Sequence, residues 1–475
     1  MTLADAQTVS RPAYAGGLET LESEVELDSL AVEGEIPEWL SGSLLRNGPA
    51  KFEVGERQLA SWLDGYSMLH RFSFGGGSVS YANRFLRSKS YRAAEEGRIP
   101  YMGFATDPCR SIFKRAASLF RPRITDNCNV SLTRLGDEYV AMTETPLPIA
   151  FDPETLETLG VSFKPPGGHA TAHPHHDPER DELIAYATHF GPRCEYRIFA
   201  QRDRRTQRQI GSMPVREPSY MHSFAMTERY AVLVAFPFVV NPLQLLTGAG
   251  SFIENYRWKP ELGTQVIVFD REDGTLRGVY EAEPCFAFHH VNAFERGGEL
   301  VLDMAAYESA EVIDSLFLGH LRDPEGPIAP SAQLLRYRID LDRGRVAEEA
   351  LADRHLELPR IDYGERNGRP YRYVYGVGAP GPGEEYDFLD RLVKIDVTTG
   401  AREEWREPGA YPGEPVFVPA PRSDRAEDDG VLLSVVFDAR GTSYLLVLDA
   451  AGLEELGRAR VPHRIPFGFH GEYFS

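Results

Sequence analysis

The stretch Gly167–Asp177, GGHATAHPHHD, holds four of the chain's 13 histidines, and three more sit in apolar or aromatic surroundings: His222 in EPSYMHSFAMTERY, His289 in FAFHHVNAFE and His470 in PFGFHGEYF. Neutral imidazole is the commonest metal ligand, and a set of imidazoles with no thiolate suits Fe, Zn, Cu or Ni. A His-rich tract alone is compositional evidence. Whether it does chemistry depends on His173, His222, His289 and His470 meeting in space; otherwise each is a surface or core imidazole satisfied by backbone. Three glutamates sharpen the question. Glu144 in YVAMTETPLP, Glu357 in HLELPRIDYG and Glu414 in YPGEPVFVPAP lie among apolar or proline residues, where an ionised carboxylate needs a partner. A metal-bound imidazole normally donates its second ring N–H to such a group. The bland alternative is three strand-end carboxylates facing solvent.

The elements that must bring these residues together read as strands. FDPETLETLG, VFDREDGTLRG, RIDLDRGRV, KIDVTTGAREEW and LVLDAAGLEELG each join an apolar run to a second extended run through an Asp-led polar turn. Their aspartates, Asp152, Asp270, Asp340, Asp396 and Asp449, are 118, 70, 56 and 53 residues apart. That loose period, with the first gap near two periods, predicts an all-β propeller whose inner strands converge on one axis. Histidines far apart in sequence then meet there. Helical periodicity is local: residues 107–123, with Ile112, Phe113, Ala116, Leu119 and Phe120 on one face between Arg and Lys, and an apolar insertion over 237–258.

A net charge of −20 argues against nucleic acid as a partner, because a phosphate-binding surface needs clustered positive charge. The 42% apolar and 26% charged composition is that of a globular protein. No run approaches a membrane span and the start MTLADAQTVSRPAYAGG lacks a signal-peptide layout, so the expected location is cytoplasmic. Cys109, Cys128, Cys194 and Cys285 form no CxxC pair and read as reduced thiols, mostly buried.

At the histidine motifs the chain resembles the carotenoid cleavage oxygenase family, from GSLLRNGPAKFEVG and WLDGYSMLHRF through to FHGEYF. DPCRSIFKRAASLFRPRITDN, FHHVNAFERGGELVLDMAAYES and ELPRIDYGERNGRPYRYVYGVG are similar to its animal branch, the β-carotene 15,15'-oxygenases and the retinoid isomerase of the retinal pigment epithelium. The resemblance implies a single seven-bladed β-propeller over residues 1–475 with a helical and loop cap. It implies Fe(II) on the axis held by His173, His222, His289 and His470, with Glu144, Glu357 and Glu414 each orienting one ligand. His169, His175, His176 and His290 are left as neighbours; if His289 and His290 share a strand, they point to opposite faces.

The activity so implied is insertion of O2 across a conjugated C=C bond of a carotenoid, through a dioxetane or an epoxide-like step with cationic character, to give two aldehydes; central cleavage to retinal is the first expectation. A polyene has no hydrogen-bond handles along its length, so the bond is chosen by tunnel length and aromatic walls. Tyr220, two residues before His222 and on its face if extended, is the candidate aromatic that steadies an allylic cation, against an ordinary core tyrosine. The 107–123 segment fits an interfacial helix, making the protein peripherally membrane-associated. Cys109 is the residue that would carry an acyl chain in an animal relative, and Lys114 is a poor phenol partner for stilbene cleavage. The rival readings are an apocarotenoid- or stilbene-cleaving oxygenase, a retinyl ester isomerohydrolase, and a carotenoid-binding propeller with structural histidines. The oligomeric state is left open.

Overall fold

The computed structural model describes residues 12–107, 124–247, 250–323, 330–352, 355–381, 384 and 387–475. Seven antiparallel sheets of four to six strands form the blades of a β-propeller. From the axis outward, blade 1 orders Gly471–Phe474, Gly42–Lys51, Tyr66–Gly75, Ser78–Phe85 and Glu26–Leu27. The inner strands of blades 2 to 7 are Ser131–Leu135, His169–Ala170 with His175–Asp177, Ala225–Met226, Phe286–Arg296, Glu357–Arg360, and Ala410–Pro412 with Val416–Pro419.

Middle strands are buried on both faces because blades pack against one another. Tyr230–Ala235 (YAVLVA) and Arg391–Asp396 are buried at every position, whereas the outer strands Arg345–Ala352 and Gln207–Val215 are largely polar and open to water. Two swaps close the ring: the C-terminal Gly471–Phe474 pairs with Gly42–Lys51, and the N-terminal Ala31–Gly34 pairs with Glu455–Val461. A ring closed this way leaves no gap between the first and last blades.

The five Asp-led hairpins are all the outermost turn of a blade: blades 2, 4, 5, 6 and 7. The carboxylate closes the turn by accepting downstream backbone N–H groups, as when Asp152 takes those of Glu154 and Thr155 and Asp340 those of Asp342 and Arg343. The double gap between Asp152 and Asp270 is filled by blade 3, where Asp203 accepts from Arg205 and Thr206. Blade 1 turns instead through Gly76 and Gly77, both at positive φ.

The 237–258 insertion leaves blade 4 between its second and third strands as a small hairpin, Phe238–Val240 against Tyr256–Trp258, with a short helix Pro242–Thr247 between them. The cap also includes Trp62–Asp64 and the short helices Val312–Ser315 and Leu318–Leu321, stitched together where Trp62 N–H donates to Leu316 O and Leu318 N–H to Ala60 O. The helix expected over 107–123 lies, beyond Asp107, outside the described residues, as do Cys109 and Lys114. Cys128, Cys194 and Cys285 are buried free thiols.

Candidate metal centre

All seven blades send one side chain to the centre. His173 stands between the two inner strands of blade 3, His222 just before Ala225–Met226 of blade 4, His289 within Phe286–Arg296 of blade 5, and His470 directly before Gly471–Phe474 of blade 1. One ring nitrogen from each lies within 4.8 Å of the others. Close backbone approach sets His470: a Cβ on Gly48 would sit 2.4 Å from the Gly468 Cα, so only glycine lets PFGFH lie on NGP. The Asn47 N–H then donates to His470 O at 2.9 Å.

Blades 2, 6 and 7 supply the carboxylates. His222 Nδ1 donates to Glu144 at 2.6 Å, His289 Nδ1 to Glu357 at 2.6 Å and His470 Nδ1 to Glu414 at 2.8 Å. His173 receives no carboxylate among the described residues; its backbone N–H donates to Thr171 Oγ1. Each carboxylate has its own support. Tyr220 hydroxyl donates to Glu144 at 3.0 Å, Tyr307 hydroxyl and Leu358 N–H to Glu357 at 2.8 and 2.9 Å, and Arg46 and Gly471 N–H to Glu414 at 2.7 and 2.8 Å, with Arg360 3.8 Å away. Burial pushes Glu357 up, but the His289 ring and these donors hold it at about 2. Glu414 is held well below the carboxylate range by Arg360, His470 and Arg46 against the same burial. Burial brings His470 down to about 4, opposed by Glu414, and pushes His173 well below the usual imidazole value, helped by the other three rings.

A neutral imidazole donating from Nδ1 presents a lone pair at Nε2. His289 and His470 are both so engaged, yet their Nε2 atoms are 3.1 Å apart; those of His173 and His222 are 2.9 Å apart. Lone pairs so opposed repel unless something positive lies among them. Four nitrogen donors without sulfur fit an imidazole-preferring transition metal such as iron.

The remaining histidines separate as the strand geometry requires. His290 turns away from the axis to Ser223 Oγ at 2.8 Å, His175 bridges the Tyr363 hydroxyl and Phe224 O, and His176 is exposed beside Asp181. His169 lines a cavity of about 420 Å³ with Phe104, Phe190, Tyr220 and Phe252. A second cavity of about 510 Å³ is walled by Trp62, Phe288, Tyr307, Phe388 and Phe469. The two share Leu63, Val130 and His222 and so adjoin at that wall beside the histidines, a first arm toward Phe252 and a second toward Phe388. Pro242, Leu245 and Phe252 of the blade 4 insertion line the first arm, beside Ile124.

Tyr220 is buried, with its ring on that first arm and its hydroxyl on Glu144. Tyr307 is its counterpart on Glu357 in the second arm, and sequence reading passes over it because LVLDMAAYES reads as a plain core strand. Arg46 and Arg360 were missed likewise; the signal was Glu414 itself, a carboxylate among apolar residues that had to be paired.

Fold and donor set define the class: a propeller with an axial imidazole cluster backed by carboxylates and flanked by apolar cavities. The family model described as retinal pigment epithelial membrane protein matches residues 18–475, and the chain belongs to this family of carotenoid oxygenases. It is 34% identical to the mitochondrial carotenoid-cleaving dioxygenase of Mustela putorius furo over 98% of this chain and 97% of that protein. It is 32% identical to the β,β-carotene 15,15'-dioxygenase of Mus musculus, over 93% and 88%. Among solved structures, cobalt-substituted Synechocystis ACO superposes with a TM-score of 0.86 at 28% identity, covering 98% of each chain.

Proposed function

We propose that this carotenoid dioxygenase works through Fe(II) held by His173, His222, His289 and His470, and that it adds O2 across the central 15,15' double bond of a carotenoid to give two retinal-type aldehydes. The carrying observation is the pair of opposed Nε2 atoms on His289 and His470, whose other nitrogens are already committed to Glu357 and Glu414. Held by those four imidazoles, iron would supply the affinity for O2. Four neutral ligands bring no charge, so the three carboxylates one bond further out offset that of the ion while fixing each tautomer.

The chain's own residues do the rest. Arms of about 510 and 420 Å³ on either side of His222 suit a long molecule held near its middle, which supports central cleavage, as does the mouse relative's name. Their aromatic walls exclude water and the other double bonds. The Tyr220 ring, made electron-rich by its hydrogen bond to Glu144, faces the arm beside His222 and steadies positive charge on the polyene. Substrate comes from a membrane leaflet: Leu243, 69% exposed, adjoins Pro242 and Leu245, which line the first arm. Among the described residues no helix is long and apolar enough to cross a membrane, so the contact proposed is peripheral.

The test is anaerobic purification, iron quantification, and incubation under air with detergent-dispersed β-carotene and 8'-apocarotenal. Stoichiometric iron with a C20 aldehyde from β-carotene is expected, and His470→Ala removes both. Iron with cleavage at another bond overturns the central assignment; full activity without iron overturns the site.

A further inference from the structure

A third cavity, of about 590 Å³, meets the histidines from the other side. It shares His289 and His470 with the second arm and no residue with the first. The division along the inner strands is regular. The second arm touches Phe288 and Phe469, each directly before a histidine of the cluster, whereas the third cavity touches residues 290–291 and Gly471–Phe474, which follow them. The arms, with Trp62 and Leu316 in the wall of the second, thus lie on the cap side of the histidines. The third cavity lies on the opposite face of the ring. Its lining is mostly polar, with five carboxylates against three guanidiniums, so it favours positive charge. One wall carries both the exposed His176, Asp181 and Glu472 and the cluster residues His173, His289 and His470. His173, which no carboxylate backs among the described residues, lines this cavity and neither arm.

One side chain spans this cavity. Tyr363 begins the short helix Tyr363–Arg366 that follows the inner strand of blade 6, and it is 38% exposed. Its hydroxyl is held by blade 3. His175 Nε2 donates to Phe224 O at 2.9 Å, which leaves Nδ1 to accept from the phenol at 2.8 Å, and the His176 N–H donates to the phenol oxygen at 3.3 Å. Blades 3 and 6 stand on opposite sides of the ring, so the phenol reaches across its end. The backbone behind it is fixed, since Asn292 of blade 5 donates to Arg366 O and Arg369 O at 2.8 and 2.9 Å and Arg425 donates to Asp362 at 2.5 Å. The side chain alone is left to swing.

A divalent ion travels with its hydration shell, and aromatic walls offer nothing in its place, so arms that suit a polyene are a costly way in for a metal. We infer that the polar cavity on the axis is the entry of the metal ion and that Tyr363 is its gate. Swung aside, the phenol opens a path past His176 and Glu472 to His173; pinned on His175 and His176, it slows both entry and loss. The inference rests on the proposed function in that it needs a metal on the four histidines.

The experiment follows metal exchange rather than turnover. The whole chain, stripped of metal, is mixed with Co(II), whose visible absorption changes when imidazoles displace its water, and the loaded form is then challenged with excess EDTA. A gate alters the path and leaves its two ends alone. Tyr363→Ala should therefore speed uptake and loss by the same factor, roughly tenfold for a closed state held by one or two ordinary hydrogen bonds, at unchanged equilibrium affinity. Tyr363→Phe, which keeps the ring and loses the bonds, should show part of the acceleration and stands in if the alanine variant does not fold. Detergent-dispersed 8'-apocarotenal at saturation, held in the arms, should leave uptake by the unaltered protein unchanged. Rates that neither variant alters overturn the gate, and so does faster loss without faster uptake, which marks a weakened site. Uptake blocked by 8'-apocarotenal assigns entry to the arms and overturns the axial route. Unaltered protein that takes up no Co(II) overturns the proposed metal site itself, whereas Co(II) bound at rates indifferent to Tyr363 overturns this inference and leaves that site standing.

Discussion

His289 and His470 come from blades 5 and 1, 181 residues apart, and set their Nε2 atoms 3.1 Å from each other while a carboxylate occupies the far nitrogen of each ring. Nothing in the packing of either blade alone requires this. It follows from a closed ring whose inner strands all reach one axis, with carboxylates arriving from blades 6 and 7 to fix both tautomers. The backing groups differ, though, and the difference makes the carboxylates unequal.

Glu414 is 1% exposed and carries Arg46, itself 5% exposed, as well as His470. Glu414→Gln leaves a buried guanidinium without its counter-charge, and a loss of about 3–5 kcal/mol of stability is expected. Glu357 is backed by a neutral phenol and one amide, so Glu357→Gln should cost only about 1–3 kcal/mol. Both should weaken iron binding by roughly 10- to 100-fold. Urea denaturation of the two variants side by side, with metal titration, checks the order; equal destabilisation would contradict it.

Tyr220 combines a hydroxyl that holds Glu144 with a ring on the passage. Tyr220→Phe should lower iron affinity modestly and leave most of the turnover. Tyr220→Leu removes the π face, and kcat should fall roughly tenfold or more at unchanged iron content after reconstitution. If Phe and Leu variants lose turnover equally, the ring has no part in the chemistry.

The propeller was legible through its turns because an Asp that caps a tight turn leaves a sequence mark wherever it follows a clear apolar run. Blade 3 escaped because its strands Cys194–Gln201 and Gln207–Val215 carry so many polar residues that Asp203 stands beside no clear apolar run, and blade 1 because glycines make its turn. The closure was not legible at all: the pairing of Gly471 to Arg46 is a long-range contact that no local pattern encodes. In the site, histidines and glutamates stood out by being polar in apolar surroundings, whereas Tyr307 did not, since a tyrosine in a core strand looks the same whether or not its hydroxyl holds a carboxylate.

The same turn aspartates predict acid behaviour. Backbone N–H groups of Arg205 and Thr206 lower Asp203; at Asp396 burial pulls upward, but the Arg372 side chain and the N–H groups of Thr398 and Thr399 hold it at about 2. A carboxyl lowered on folding contributes stability that is fully present above its unfolded value near 3.8 and is lost as pH falls through the folded value. For Asp396 the window runs from about pH 4 to about pH 2. Asp396→Asn should lower the urea midpoint at pH 6, and the gap from the unaltered protein should close by pH 2; a gap constant across that range would rule the carboxylate out as its source.

Leu63 lines both arms together with His222, and on the proposed reading the reacting bond lies beside it. Leu63→Trp adds volume there while touching none of the four histidines' hydrogen-bond partners, and iron content should be unchanged. A C40 carotene must thread this junction to place its centre at the metal, whereas an apocarotenoid has less length to pass through it. The variant should therefore lose kcat/KM on β-carotene by about a hundredfold while losing about tenfold or less on 8'-apocarotenal, these being order-of-magnitude expectations for a misplaced reacting centre. Equal losses on both would mean that the two cavities are not arms of one substrate passage, and the polyene would have to reach the histidines by a single arm.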